Sequence, residues 1–480
     1  MNAALRTPAL FLLAILLTGG VPGLAEELFY NLKQEHAQSV LFVRVADQKA
    51  LYSIEPQRLL NPASVSKLAT SAALLKILGP KHKFKTEFYA RGKRTGNRIA
   101  GDLICVGAGD PFLVNEKLWE FAADLKAMGI NEISGDIVID NSLFDDETRS
   151  GIRNGGERQS SRAYDAPITP FGINFNTYSV AVSPALDGGK ALMTHYPYLL
   201  ESVKLKNNIK TVPGRQSTAL QITRTTDDST EIIGSGKIGA TAPLTKIYRS
   251  IGDPVQSNGE ILKSFLKEAG ISVKGGVKSG QKRESDTYVH SITSYDLGFI
   301  VSGLNHFSNN YIADVLVKRL GATLGSGKPG TTAGGLEAIR SFLTNDVGIR
   351  SKFVLNNGSG LTEENRLSAE QIVQILVYAT KRFDFFPEFI NGLASGGEEG
   401  TLERRFKKDM LNLATLVRAK TGTLSEPVAV SGLAGYLNHP KHGLVAFAIL
   451  ENGIPKRSQP SIFDFRERQD HAIKKFIETF

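Results

Sequence analysis

The stretch Pro62-Ala-Ser-Val-Ser-Lys-Leu-Ala-Thr70 decides how this sequence is interpreted. It follows a predicted β-hairpin, Val40–Val45 with Leu51–Ile54, and it opens a predicted helix. On that helix Ser64 and Lys67 lie one turn apart and project to the same side. A serine hydroxyl at a helix N-terminus suits a nucleophile, because the dipole and the free N–H groups favour an oxyanion product. The alternative is a capping serine with a surface lysine.

The Ser-x-x-Lys pattern occurs three times, at Ser64/Lys67, Ser264/Lys267 and Ser279/Lys282. About two such patterns are expected by chance in a chain of this length and average composition. Ser279 lies in a glycine-rich turn, and Ser264 lies inside an amphipathic segment where Lys267 is most simply solvated. Their surroundings therefore favour Ser64 as the nucleophile.

Two further motifs follow Ser64 in the sequence. Ser308-Asn309-Asn310 connects two helix-like segments, Asp296–Leu304 and Ile312–Leu320. Lys420-Thr421-Gly422 lies in a predicted strand, Leu416–Thr423, and the strand-like runs Val428–Leu437 and Gly443–Leu450 come after it. Each motif alone is a weak signal, but the order Ser-x-x-Lys, Ser-x-Asn, Lys-Thr-Gly is rarely met by chance. An SxN connection also places a hydroxyl and an amide opposite a nucleophile.

With these motifs in place, the chain resembles a class C low-molecular-mass penicillin-binding protein of the D-alanyl-D-alanine carboxypeptidase/endopeptidase family. The similarity covers almost the whole chain after its first 25 residues. Further stretches that resemble the family are Gly101–Leu113, Ile133–Asp140, Tyr164–Pro167, Asn174–Asn176, Asn357–Leu361, Asn365-Arg366, Gly400–Leu402 and Val417–Leu424. One departure is Asn309, where the family usually has Asp. Its neighbours carry the inferred chemistry, so we expect the departure to affect catalysis little.

The resemblance implies an α/β (α+β) fold. It predicts a penicillin-binding-protein/β-lactamase-like transpeptidase domain, in which helices flank an antiparallel sheet. Ser64 and Ser308 are 244 positions apart, which leaves room for a large inserted region at 87–285, with one or two smaller domains. The catalytic domain is then discontinuous, over 26–86 and 286–480. The amphipathic segment Phe463–Phe480 is expected to pack on the sheet as a helix rather than to anchor the protein in a membrane.

The resemblance also implies the roles of the site residues. Ser64 is the nucleophile, Lys67 its base, Ser308 the proton donor to the leaving amine, and Asn310 the residue that holds Lys67 and the substrate amide. Burial and the nearby cation of Lys420 are expected to lower the pKa of Lys67. The expected substrate-binding residues are Lys420 and Thr421 for the terminal carboxylate, Gly422 for close approach of the substrate backbone, and Thr423, whose N–H completes an oxyanion hole with that of Ser64. No cofactor and no metal are expected.

The first 25 residues have the sequence pattern of a secretory signal peptide. Arg6 precedes the apolar run Ala9–Leu17, and Gly23-Leu24-Ala25 offers small residues for cleavage. The sequence therefore predicts an exported protein, in the periplasm or secreted. The lone Cys105 lies in an apolar run, which favours a buried structural thiol.

The expected partners are peptidoglycan stem peptides, with β-lactam antibiotics as covalent inhibitors. The formal net charge of +9 is interpreted as a solvated basic surface rather than a nucleic-acid site, because exported proteins rarely meet nucleic acid. No stable membrane anchor is expected. Two alternatives remain open: a β-lactamase or esterase with the same motifs, and a non-catalytic peptidoglycan-binding protein of the cell envelope.

Overall fold

A computed structural model describes residues 28–149, 161–214, 219–224, 230–406 and 410–480. The predicted signal peptide, residues 1–25, lies outside the described residues. In the described ranges, no helix is both long enough and apolar enough to cross a membrane.

A six-stranded antiparallel sheet joins the two ends of the described chain. Its strands are β1 (His36–Arg44), β2 (Ala50–Ile54), β16 (Ala394–Ser395), β17 (Val417–Leu424), β18 (Val430–His439) and β19 (Gly443–Gly453). They lie in the order β16-β17-β18-β19-β1-β2, and every neighbouring pair is antiparallel. The predicted hairpin and the predicted run of C-terminal strands are confirmed.

Both faces of this sheet are covered, as the apolar run in β1 requires. Successive side chains of a strand point to opposite faces. Leu41 and Val43 accordingly join one buried cluster, whereas Val40 and Phe42 join the other.

Helices pack on each face of the sheet. Against the first face lie α1 (Lys67–Leu78), α4 (Leu297–His306), α5 (Asn310–Leu324), α6 (Thr332–Ser341), the π-helical turn Phe342–Val347, α7 (Ala369–Thr380) and α8 (Phe386–Asn391). Near the second face lie the 3-10 turn Gly400–Leu402, α9 (Leu411–Ala414) and α10 (Ile462–Thr479). Ile473 and Phe476 of α10 are buried in the cluster on this face, and the buried Phe465 ring lies 5.4 Å from the ring of His36 in β1. The prediction that the C-terminal helix packs there is confirmed.

The region between α1 and α4 forms three further sheets around its own apolar cluster. Its strands are β3 (Lys85–Thr95), β4 (Arg98–Val106), β5 (Glu132–Ile133), β6 (Ile137–Asp140), β7 (Thr177–Ser183), β8 (Leu192–Tyr196), β9 (Lys204–Val212), β10 (Ala219–Arg224), β11 (Glu231–Gly239), β12 (Thr245–Ser250), β13 (Ser272–Val273), β14 (Val277–Ser279) and β15 (Thr287–Thr293). Its helices are α2 (Asn115–Ala127) and α3 (Pro254–Glu268), with 3-10 turns at Ala163–Asp165 and Asn174–Asn176. Cys105 is buried in this cluster, as predicted.

The largest of these sheets bears on the domain division suggested by the sequence. β15 pairs with β3, so Lys85–Thr95 and Thr287–Thr293 belong to one sheet. The boundaries 86/87 and 285/286 stay a prediction. Contacts also fix the inserted region to α5, because the buried Lys318 donates to the Asp145 carboxylate and to the Glu147 carbonyl.

Candidate active site

Ser64 lies in a tight turn immediately before α1. Ala63–Ser66 form a 3-10 turn, and α-helical geometry begins at Lys67. The prediction placed Ser64 on the α-helix itself. The difference has a local cause: Ala63 has a φ of +46°, and its N–H donates to Asn61 Oδ1 at 2.8 Å, so the chain turns sharply there. Ser64 still precedes Lys67 by one turn and faces it.

Two glycines pack against the backbone of this turn. A Cβ atom at Gly422 would collide with the Pro62 carbonyl oxygen, and one at Gly360 would collide with the Ala63 carbonyl oxygen. Gly360 also has a φ of +78°, which favours glycine. The glycine at position 422 therefore has a packing reason in this structure, because it lets β17 approach the turn that carries Ser64.

Lys67 is fully buried and its ammonium lies among three oxygen acceptors. Its Nζ is 3.0 Å from Ser64 Oγ and 2.7 Å from Asn310 Oδ1, and it also donates to the Ser359 carbonyl. The amide and carbonyl oxygens can only accept, whereas the serine hydroxyl can also donate. A neutral Lys67 would spend its two N–H bonds on Asn310 and Ser359. Its lone pair would then face the Ser64 hydroxyl.

The Ser359 carbonyl is a site group that the sequence analysis missed. It is held by Asn357, whose side-chain oxygen accepts from Ser359 Oγ and from the Gly360 N–H, both at 2.7 Å. Asn365 fastens this loop to the nucleophile turn, since its Nδ2 donates to the Asn357 carbonyl at 2.8 Å and to Ser66 Oγ at 3.1 Å. The family resemblance includes Asn357–Leu361 and Asn365-Arg366 but assigns them no role. A side-chain motif does not reveal a backbone carbonyl.

The Ser-Asn-Asn motif lies where α4 ends and α5 begins. Ser308 has a φ of +54° and its Oγ lies 2.8 Å from Lys420 Nζ. Asn309 is the N-cap of α5, because its Oδ1 accepts from the Ile312 N–H at 3.1 Å. Asn310 is the first residue of that helix and reaches Lys67. The middle residue thus shapes the backbone, and Asp would serve equally well as a cap.

Lys420 reaches down from β17 to the Ser-Asn-Asn connection and is fully buried. Its Nζ donates to Ser308 Oγ at 2.8 Å and to the Thr421 carbonyl at 2.6 Å. Burial, and then the charge of Lys67, hold the pKa of Lys420 well below its ordinary value. The geometry makes Lys420 a partner of Ser308, and a direct contact with a substrate carboxylate stays a prediction.

Thr421 and Thr423 project from the opposite face of β17, toward α10. Thr423 Oγ1 accepts a hydrogen bond from the Arg466 guanidinium at 3.1 Å. Arg466 is a second residue that the sequence analysis missed, because it lies 43 positions beyond Thr423 on another element.

A cleft of about 590 Å³ opens beside Ser308–Asn310. Its wall comes from the inserted region and is rich in aromatic side chains: Tyr164, Phe175, Tyr178, Tyr196 and Tyr248, with Phe307 at the edge of the motif. The cleft is therefore next to the reactive groups and large enough for several residues of a peptide.

The other two Ser-x-x-Lys pairs lie away from this site, in the inserted region. Ser264 donates to the Glu260 carbonyl of its own helix at 3.0 Å, and Lys282 lies 4.8 Å from the centre of the Tyr89 ring. The described residues contain no group of three or more His, Cys, Asp or Glu side chains that could hold a metal ion.

A known protein family and two of its relatives are similar to this chain over most of its length. The D-Ala-D-Ala carboxypeptidase 3 (S13) family model matches residues 26–470. A D-alanyl-D-alanine carboxypeptidase of Actinomadura sp. (strain R39) is 32% identical over 432 residues, covering 86% of this chain and 77% of the relative. D-alanyl-D-alanine carboxypeptidase DacB of Haemophilus influenzae is 24% identical over 394 residues, covering 82% and 80%.

Solved structures show the same fold. Penicillin-binding protein 4 (dacB) from Haemophilus influenzae superposes with a TM-score of 0.77 at 22% identity, over 95% of this chain and 98% of that one. A second structure of that protein, complexed with a novel β-lactam, gives a TM-score of 0.72 at 21% identity, over 95% and 99%.

Proposed function

This chain belongs to the D-Ala-D-Ala carboxypeptidase 3 (S13) family and is a D-alanyl-D-alanine carboxypeptidase, and we propose that it is an exported serine enzyme that cleaves peptidoglycan peptides through an acyl-enzyme at Ser64. The proposed reaction is carboxypeptidase or endopeptidase cleavage, and β-lactams are proposed covalent inhibitors. The observation that carries the proposal is the buried Lys67, whose Nζ lies 3.0 Å from Ser64 Oγ with two obligate acceptors on its other sides.

Acylation begins with proton transfer from Ser64 to Lys67. Lys67 must be neutral at that moment, and its two fixed acceptors orient the lone pair toward the hydroxyl. As the proton leaves, Ser64 Oγ attacks the carbonyl carbon of the scissile bond, and a tetrahedral oxyanion forms. The backbone N–H groups of Ser64 and Thr423 are the proposed donors to that oxyanion.

The strand that carries Thr423 supports this assignment. In the described part of the chain, β16 pairs with β17 only at Arg418 and Ala419. The rest of that edge, residues 420–424, has no strand partner and borders the nucleophile turn. A substrate backbone could therefore lie along this edge and be held by main-chain hydrogen bonds.

Departure of the leaving amine requires a proton, and Ser308 is the proposed donor. The C–N bond breaks as Ser308 gives its proton to the leaving nitrogen and takes a proton from the Lys420 ammonium, which lies 2.8 Å from its Oγ. Lys67 meanwhile holds the proton that came from Ser64, so the two amines together neither gain nor lose a proton. The lowered pKa of Lys420 supports a site in which two buried amines share less than two full charges. Asn310 accepts from Lys67 at 2.7 Å and so holds it beside Ser64.

Deacylation requires one water molecule. Water adds to the ester carbonyl, the Ser64 oxygen leaves and regains its proton, and the shortened peptide departs with a new carboxylate. A β-lactam would also acylate Ser64, but its ring-opened amine remains attached to the acyl group and does not diffuse away. The β-lactam complex of the structurally similar protein supports this part of the proposal.

Export is proposed because residues 1–25 have the sequence pattern of a signal peptide. The proposed location is the periplasm or another extracytoplasmic space, where peptidoglycan is found. No nucleic-acid partner and no cofactor are included in the proposal.

The test uses the purified mature chain and a fluorescent penicillin. We expect stable labelling, and we expect peptide mapping to place the adduct on the segment that contains Ser64. Ser64→Ala should abolish labelling. Ser264→Ala is the matched control, because Ser264 hydrogen-bonds within its own helix. An adduct elsewhere, or none, would exclude the acyl-enzyme at Ser64.

The substrate needs its own measurement. Incubation with purified sacculi, followed by separation of the muropeptides, should show loss of terminal D-Ala, cleavage of cross-links, or both. Sacculi left unchanged by a protein that reacts with penicillin would contradict peptidoglycan as the substrate.

A further inference from the structure

Arg466 is placed at the end of the Lys-Thr-Gly strand by the way α10 starts. Ser461 caps that helix: its Oγ accepts from the Asp464 N–H at 3.2 Å, and the Asp464 carboxylate accepts from the Ser461 N–H at 2.7 Å. This capping box fixes the first turn of the helix. Arg466 follows two residues later, and its side chain extends to β17.

The position of Arg466 is held from three sides. Its guanidinium donates to Thr423 Oγ1 at 3.1 Å and lies 5.9 Å from the centre of the Phe463 ring. Its backbone carbonyl accepts from the Arg405 guanidinium at 3.1 Å, and Arg405 is itself paired with Asp470. These contacts keep the Arg466 side chain beside the proposed oxyanion hole.

Arg466 lacks a carboxylate within ion-pair distance among the described residues. Carboxylates are the usual partners of a guanidinium that is half-buried. Here the hydrogen-bond partner is a neutral hydroxyl, so the charge is not balanced by a contact within the described structure.

The contact also determines what the Thr423 hydroxyl can do. A guanidinium has only donors, so Thr423 Oγ1 must be the acceptor in this pair. The single hydrogen of the hydroxyl is then directed to another group. On an edge strand next to Ser64, an anionic group of the substrate is a suitable acceptor. Thr421 lies on the same face of the strand, two residues earlier.

Lys420 is less suited to attract an anion. It is fully buried, it is engaged by Ser308 and the Thr421 carbonyl, and its positive charge is disfavoured by burial and by Lys67. Arginine keeps its proton in proteins. Of Lys420 and Arg466, it is therefore Arg466 that keeps its positive charge, and it lies beside Thr423.

We propose that Arg466 is a specificity-determining residue, which selects substrates that carry a free carboxylate on the residue after the scissile bond. It does so through its charge and by holding Thr423 as a hydrogen-bond donor to that carboxylate. This inference rests on the proposed function, because it needs peptide cleavage at Ser64.

The experiment compares two synthetic substrates on the same protein preparation. One is an N-acylated peptide that ends in D-Ala-D-Ala with a free carboxylate, and the other is its C-terminal amide. For each protein, the ratio of the two kcat/KM values is the readout. This ratio is independent of the active fraction, so a variant that folds poorly still gives an interpretable result.

We expect the wild type to prefer the free acid strongly, and Arg466→Gln to reduce that preference about tenfold or more, as for loss of a charge-assisted hydrogen bond. Arg466→Lys keeps the charge but loses the planar fork, and should retain part of the preference. Lys475→Gln removes one positive charge further along the same helix and should leave the ratio unchanged.

The outcomes distinguish failure of the role proposed for Arg466 from failure of the proposed function. An active wild type whose preference survives in Arg466→Gln would overturn the role of Arg466 and leave the proposed function intact. An equal fall in kcat/KM for both substrates would also overturn it, since a purely structural residue acts in that way. A wild type that cleaves neither peptide and takes up no penicillin would overturn the proposed function itself.

Discussion

Replacing Asn309 tests whether the start of α5 holds the catalytic base in place. Asn309 Oδ1 accepts from the Ile312 N–H at 3.1 Å, and the next residue, Asn310, accepts from Lys67 at 2.7 Å. Asn309→Ala removes the cap but touches neither Lys67 nor Ser64. Asn309→Asp keeps the acceptor and restores the residue that the family usually has.

The size of the effect follows from the cap. Losing an N-cap costs about 1 kcal/mol. Because Asn310 begins the helix that loses its cap, we expect its amide to shift, and a misplacement of about 1 Å in a catalytic site can cost about 10²-fold in rate. We therefore predict a fall of about tenfold or more in penicillin acylation for Asn309→Ala. For Asn309→Asp we predict acylation within about threefold of wild type and slightly higher stability, since an anion at a helix N-terminus contributes about 0.3–1 kcal/mol.

The assay is the second-order rate constant of acylation by fluorescent penicillin, measured across neutral and alkaline pH together with the melting temperature. The matched control is Thr331→Ala, which removes the N-cap of α6, where Thr331 Oγ1 accepts from the Gly334 N–H at 2.9 Å. It should lower stability by a similar amount and leave acylation unchanged.

Two results would refute this reasoning. If Asn309→Ala loses stability but acylates like the wild type, the cap does not position Asn310. If Asn309→Asp moves the alkaline limb of the profile by a full pH unit or more, residue 309 acts on the buried lysines through its charge, and its role is electrostatic rather than structural.

Three further predictions use the same protein and assays. Lys67→Ala should lower the rate of penicillin acylation by about 10²–10⁴-fold, as expected for a lost general base. Lys76→Ala, at a partly exposed position on the same helix, should change that rate less than threefold. Acylation of Lys67→Ala near the wild-type rate would exclude Lys67 as the base. Gly422→Ala should reduce both the rate of acylation and the melting temperature, because a Cβ atom there collides with the Pro62 carbonyl oxygen. Gly276→Ala, where a Cβ atom meets no atom within 4 Å, should change neither. A Gly422→Ala protein with wild-type acylation and melting temperature would show that close packing of β17 does not hold the turn. Lys420 has a lowered pKa in the folded state, so the unfolded chain binds more protons, and this residue makes the free energy of unfolding rise with pH until its ordinary pKa is reached. The melting temperature of the wild type minus that of Lys420→Met should therefore increase from neutral to alkaline pH. A constant or falling difference would contradict the charge state inferred for Lys420.

Local pattern was sufficient for the parts of the fold that depend on neighbouring residues. The hairpin of Val40–Val45 with Leu51–Ile54 and the strand-like runs near the C-terminus predicted strands of the sheet, because burial of one or both faces dictates the hydrophobic period of a strand. The amphipathic pattern of Phe463–Phe480 predicted a helix on that sheet for the same reason. The order of three short motifs then indicated which side chains to bring together.

The details of the site depended on distant contacts. The turn at Ser64 is set locally by Ala63 and Asn61, but the glycines that pack against it, Gly360 and Gly422, lie about 300 residues or more along the chain. The role of Asn309 as a helix cap became visible only with the backbone of α5 in place.

By itself the sequence determined the nucleophile candidate and the side chains Lys67, Ser308, Asn310 and Lys420, since each lies in a short motif on a predictable element. The family resemblance carried by those motifs implied the fold class. Only the tertiary structure decided that the Ser359 carbonyl completes the surroundings of Lys67, that Lys420 is buried against Ser308, and that Arg466 reaches Thr423. The physical reason is that a main-chain carbonyl carries no sequence signal. Burial and the meeting of two elements are likewise properties of the packed chain, which no window of neighbouring residues contains.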